Sequence, residues 1–178
     1  MLFSYVKKIL RLLAILSPVI FVLPMFLGMW AIQTTVGDNV STGDPIGIFA
    51  NLQDLKDVYG ETFKSGWLTT FTVFAVIALV VSVVVTVLYL LNDLKVTKLN
   101  KFETIAGVVL FLVSVLAVVF GILSVTTNAE LSMTGLTSVT KLVALAGMWV
   151  FYFGAPIMGI LAVLGANPNV KTTKKKRK

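Results

Sequence analysis

Four uninterrupted apolar runs divide the chain, at residues 12–32, 67–91, 104–125 and 142–165, and none of them contains a charged residue. Crossing a hydrocarbon core of roughly 30 Å at about 1.5 Å per residue takes about 20 residues. Each run is long enough. Backbone groups inside lipid have no water to bond, so they must be satisfied within their own segment. Runs of this length are therefore helices, even the second, whose Val, Thr and Phe content would favour strand in water. The even–odd alternation of a barrel strand is absent. The pattern predicts an all-α membrane protein, a four-transmembrane-helix bundle. Its connections are residues 33–66, 92–103 and 126–141, followed by a tail at 166–178.

Composition agrees. Of 178 residues, 57% are hydrophobic and 13% charged, against about 25% charged in an average soluble domain. That excludes a soluble globular domain and a disordered chain. With 0 Cys and 0 His, disulfides, thiolate sites and the commonest general base are missing. No cofactor is expected. Lys7, Lys8 and Arg11 precede the first run as they would in a signal peptide. The run is longer than a signal core, however, and no small-x-small cleavage site follows it, so a retained helix is expected.

Charge sets the predicted orientation. Lys7, Lys8 and Arg11, then Lys95, Lys98 and Lys101, then Lys171, Lys174, Lys175, Lys176, Arg177 and Lys178 all fall on one side of the four-span layout. The other side holds only Lys56, Lys64 and Lys141, with six of the eight acids: Asp38, Asp44, Asp54, Asp57, Glu61 and Glu130. The positive-inside rule then places both termini in the cytoplasm. An even number of spans requires the two ends to share a side.

Inside the spans the signals concern packing. Small residues recur at helical spacing: Gly107, Ser114, Ala117 and Gly121 in the third span, and Gly147, Gly154, Ala155 and Gly159 in the fourth. Lipid supplies no hydrophobic drive for helix association, so such stripes mark close backbone approach, within one chain or across an oligomer seam. Pro18, Pro24 and Pro156 remove backbone donors and predict kinks. Ser17, Thr72, Ser82, Thr86 and Ser114 are read as hydroxyls that bond a nearby carbonyl or hold neighbouring helices. Spans free of ionisable residues argue against an ion-coupled transporter.

The first outer connection reads as an amphipathic helix of about 15 residues. Asp44-Pro45 would start it. Ile48, Phe49, Leu52, Leu55 and Tyr59 form its apolar face, and Gly60 stops it. The alternative is a β-hairpin through Val36 and Val40. The segment Asp38 to Asp44 fails the calcium-loop pattern, because Val40 stands at the third ligand position. The tail is expected to contact anionic headgroups at the cytoplasmic face. No nucleic-acid contact is expected, because no aromatic residues interleave with the tail's lysines.

The layout is similar to several tetraspan groups, the claudin and peripheral-myelin group among them. That group's loop cysteines are missing, however, and its Gly-Leu-Trp is matched only by Gly28-Met29-Trp30, so no residues are carried over. No acid clusters with recognisable catalytic spacing, and the expected function is non-enzymatic. The chain reads as an accessory, assembly or structural subunit packed against a second copy or another membrane protein. The alternative is an oligomeric passive pore resembling a phage holin. Absence of Cys with abundant Lys and Val suggests a prokaryotic plasma membrane. The terminal Lys175-Lys176-Arg177-Lys178 resembles a retrieval signal of the eukaryotic endoplasmic reticulum, the alternative location.

Overall fold

The computed structural model describes residues 2–48, 52–94, 100–131 and 139–166. In chain order the elements are α1 (Leu2–Ile15), α2 (Ser17–Leu27), β1 (Trp30–Val36), β2 (Asn39–Thr42), α3 (Leu52–Tyr59), α4 (Ser65–Asp93), α5 (Asn100–Thr127), β3 (Val139–Ala144) and α6 (Ala146–Gly165). The protein is mostly helical. Helices α4, α5 and α6 are long and apolar enough to cross a membrane, and they mark it as an integral membrane protein. Helix α5 packs between α4 and α6, and α1 and α2 lie end to end along α6 and α4.

The first apolar run is not one helix over 12–32. It is helical from Leu2, breaks at Leu16 and ends at Leu27. The cause of the break is Pro18, which has no N–H to give to the carbonyl one turn back. At the break, Val19 N–H bonds Leu16 O at 3.1 Å. This leaves the Ile15 carbonyl without its helical donor, and Thr86 of α4 supplies one, with its hydroxyl donating to Ile15 O at 2.9 Å. Pro24 and Pro156 lie inside α2 and α6, and both helices continue through them.

The fold is not all-α. A three-stranded antiparallel sheet in the order β2-β1-β3 sits at one end of the helices. Gly28, at φ +70°, ends α2 and turns the chain into β1. Strand β3 runs into α6 from the other side, pairing Trp30 with Ala144 through to Thr35 with Val139. The fourth helix therefore begins at Ala146 rather than Leu142, because Leu142 to Ala144 satisfy their backbone against β1. Hydrogen bonds from Leu145 N to Met29 O at 2.9 Å and from Gly147 N to Gly28 O at 3.1 Å carry this pairing to the helix ends.

The outer-connection helix is shorter than its sequence pattern suggests. Among the described residues it covers Leu52–Tyr59. Asp44-Pro45 does not start it, because Ile46 is paired with Trp30 and its N–H donates to Trp30 O at 2.6 Å. The hairpin through Val36 and Val40 does form, around the turn Gly37-Asp38 with Gly37 at φ +59°. A left-handed glycine is what a tight hairpin turn needs.

The core between sheet and helices is aromatic. Trp30 meets Phe71 at 5.0 Å, Phe71 meets Phe151 at 5.3 Å, and Phe151 meets Phe21 at 5.7 Å, all edge-to-face. Asn128, fully buried, closes the gap between α5 and the start of α4. It accepts from Lys64 N–H at 2.7 Å and donates to Lys64 O at 3.2 Å.

Helix α6 approaches its neighbours at glycines. A Cβ on Gly159 would lie 2.5 Å from Phe111 Cα, and one on Gly107 2.9 Å from the Ala162 carbonyl carbon. Backbone on the far side leaves no flexible atom to yield. Gly159→Val is expected to destabilise the protein by at least about 1–3 kcal/mol. Gly47→Ala, where a Cβ meets nothing within 4 Å, should stay within about 0.5 kcal/mol. Helicity followed through a detergent-denaturation titration reads both.

Candidate functional site: a buried arginine cluster

At the end of the bundle opposite the sheet, Arg11 of α1 is buried at 6% exposure. A guanidinium in an apolar setting needs a partner for each N–H and a counter-charge. Arg11 has both. Its Nε donates to Asp93 Oδ1 at 2.7 Å and Oδ2 at 2.9 Å. Nη1 donates to Glu103 Oε2 at 2.9 Å and the Gly165 carbonyl at 3.4 Å. Nη2 donates to Glu103 Oε1 at 2.5 Å and the Tyr89 carbonyl at 3.0 Å. All five N–H groups of the fork are used.

Four helices therefore meet on one side chain. Arg11 comes from α1, Tyr89 and Asp93 from the last turn and a half of α4, Glu103 from the first turn of α5, and Gly165 from the end of α6. The two carboxylates differ. Glu103 is fully buried, pairs with Arg11 at both oxygens, and also accepts from Asn92 Nδ2 at 2.6 Å. The Asp93 side chain is 45% exposed. The Tyr89 ring lies under the guanidinium, 4.1 Å from Cζ to its centroid, and the Tyr89 hydroxyl donates to Ala162 O on α6. Gly165 lets α1 come close beside them, since a Cβ there would lie 3.1 Å from Arg11 Cα.

Each participant is visible in the sequence, but at the wrong place. Arg11 belongs there to a basic stub, and Asp93 and Glu103 to a loop. The helices run past the ends of the apolar runs and bring these charges onto the bundle's inner face. The available signal was one cation and two acids at the ends of three spans, close enough in depth to meet.

The small residues singled out from the sequence all face neighbours within the chain. Gly107 lies on the Ala162–Val163 backbone, Gly121 on Met148, Tyr152 and Phe71, Gly147 on the carbonyls of Gly28 and Pro24, Gly154 on Ile20, and Gly159 on Phe111. Ser114, Ala117 and Ala155 are fully buried. Ser82 and Thr72 donate to carbonyls of their own helix, Leu79 O and Leu68 O, whereas Ser17 and Ser114 hydroxyls have no hydrogen-bond partner among the described residues. The tail residues Lys171, Lys174, Lys175, Lys176, Arg177 and Lys178, and Lys95 and Lys98, lie outside the described residues.

Comparison with protein-family models, with curated proteins and with solved structures finds no match. Fold and geometry define the class: an integral membrane protein whose helices are clasped by ion pairing at one end and by a small sheet at the other.

Removing one partner of a buried ion pair strands the other. Arg11→Met is expected to cost about 3–5 kcal/mol, and Asp93→Asn, at a half-exposed site, no more than about 1 kcal/mol. Arg11→Met combined with Glu103→Leu should recover part of the loss, because both buried charges are gone. Unfolding midpoints of the four proteins in mixed micelles measure this.

Proposed function

We propose that this chain is a four-span integral membrane protein with both termini in the cytoplasm, α1 and α2 together making the first span. In this reading the Arg11 cluster lies at the cytoplasmic end and the sheet on the outer face. The distribution of Lys and Arg supports the orientation. The absence of Cys and the abundance of Lys and Val support a prokaryotic plasma membrane, with the endoplasmic reticulum as the alternative.

Its function is that of a non-enzymatic accessory, assembly or structural subunit, working through contacts with a second copy or another membrane protein. One observation carries this. The inner faces of the helices are consumed by packing within the chain, from Arg11 at one end to Trp30 and Phe71 at the other. What one chain offers is then its outer surface: the apolar sides of α4, α5 and α6, with residues such as Ile77, Leu112 and Phe153 exposed, and the hairpin β1–β2. The basic tail adds anionic lipid as a partner at the cytoplasmic face.

Because the natural chain has no cysteine, single introduced cysteines report sidedness cleanly. Asp38→Cys should react with an impermeant thiol reagent in intact cells, and Lys101→Cys only after permeabilisation. The opposite pattern would invert the topology. The native mass after gentle solubilisation tests the function. Co-migration with a different membrane protein, and no ion flux from the purified chain in liposomes, is the expected result. A symmetric homo-oligomer that passes ions would replace this reading with that of a passive pore.

A further inference from the structure

A cavity of about 650 Å³ opens at the sheet end of the bundle, between α3 and the start of α4. Its size is within the range of small-ligand sites. Its lining divides by chemistry. Lys56, Glu61 and Lys64 bring two ammonium groups and one carboxylate, while Phe63 and Trp67 bring apolar surface. Phe63 is buried. Lys64 Nζ donates to Glu61 O at 2.7 Å, which leaves two of its three N–H groups for another acceptor.

The apolar side does not stop at the cavity. Trp67 stacks on Phe120 of α5 at 5.8 Å with the rings 16° apart, and Phe120 stacks on Phe74 at 5.1 Å. Val73, Ile77 and Val80 are exposed further around α4. A short aromatic track thus leads from the recess onto the outside of the α4–α5 pair. Trp67 is partly exposed near the end of such a helix, the position at which indole rings are enriched in membrane proteins.

We propose that this cavity is a binding site for the phosphodiester headgroup of a phospholipid from the leaflet that surrounds the sheet end. Lys56 and Lys64 take the phosphate oxygens through charge-assisted hydrogen bonds. The acyl chains follow Trp67, Phe120 and Phe74. A free phosphate would use the lysines and leave the aromatic track bare. The site rests on α4 and α5 crossing the membrane and is independent of the accessory role, so failure of either leaves the other standing.

The test uses the purified full chain in detergent, with dioleoyl phosphatidylethanolamine as probe and native mass spectrometry as readout. A lipid without net charge keeps the basic tail from dominating. The expected result is one retained lipid per chain, with retention at least about tenfold weaker in the Lys56→Gln, Lys64→Gln double variant. Lys101→Gln at the opposite end should leave retention unchanged, and excess inorganic phosphate should not displace the lipid. Equal retention in the double variant, equal loss in Lys101→Gln, or displacement by phosphate would each overturn the proposal. Should the double variant fail to fold, headgroup-spin-labelled phosphatidylethanolamine gives a second readout on the folded protein. It should quench tryptophan fluorescence, and Trp67→Phe should remove most of that quenching. Quenching unchanged in Trp67→Phe would refute the site.

Discussion

The bundle depends on placing one guanidinium, Arg11, where water is scarce. The desolvation cost is several kcal/mol per ion, and only an environment that meets every donor offsets it. Glu103 does so as a two-oxygen partner, Asp93 closes the Nε side, and the carbonyls of Tyr89 and Gly165 take the remaining N–H groups. Because these acceptors come from three other helices, the demand of one side chain fixes the relative positions of all of them. The geometry is directional as well as electrostatic, since the guanidinium fork accepts only a narrow set of arrangements. That is a form of specificity apolar packing does not provide in lipid, where helix surfaces and acyl chains are equally oily.

The opposite end solves the same problem with backbone. Helix α2 and helix α6 are continued by β1 and β3, whose antiparallel pairing ties the two helix ends together. Trp30, just past the left-handed Gly28, inserts into the aromatic group of Phe71, Phe151 and Phe21. Between the two ends the helices approach at glycines, and Thr86 repairs the carbonyl left free by the break before Pro18. Ion pairing, strand pairing and close backbone contact act at successive depths. The chain's outer apolar surface is left for lipid or partners, with a cationic recess at its rim.

Much of this was legible in the order of residues. The three long helices follow from uncharged runs of sufficient length, because lipid admits no other open backbone. The inward faces of α5 and α6 follow from Gly107, Gly121, Gly147 and Gly159, since small residues at helical spacing have little use facing acyl chains. The break near Pro18 follows from its missing donor. The outer connection is less legible. Asp44-Pro45 carries a helix-start signal, yet Ile46 is drawn into pairing with Trp30, and long-range strand hydrogen bonds outweigh a local cap. Val36 and Val40 form a hairpin because β1 also has β3 to pair with on its other edge, and an isolated hairpin lacks that support.

The sequence by itself determined that the chain is a membrane protein, where its long helices lie and which of their faces are narrow, because each follows from the local demand of backbone and side chain for water or lipid. Only the tertiary structure decided that Arg11, Asp93 and Glu103 form one buried group, that Lys56, Lys64 and Trp67 share a recess, and that β1 pairs with β3 across the chain. Arg11 and Glu103 are separated by 92 residues and the paired Trp30 and Ala144 by 114. No local pattern encodes a meeting at that range, and it arises only when the packed helices bring the ends of different spans to the same depth.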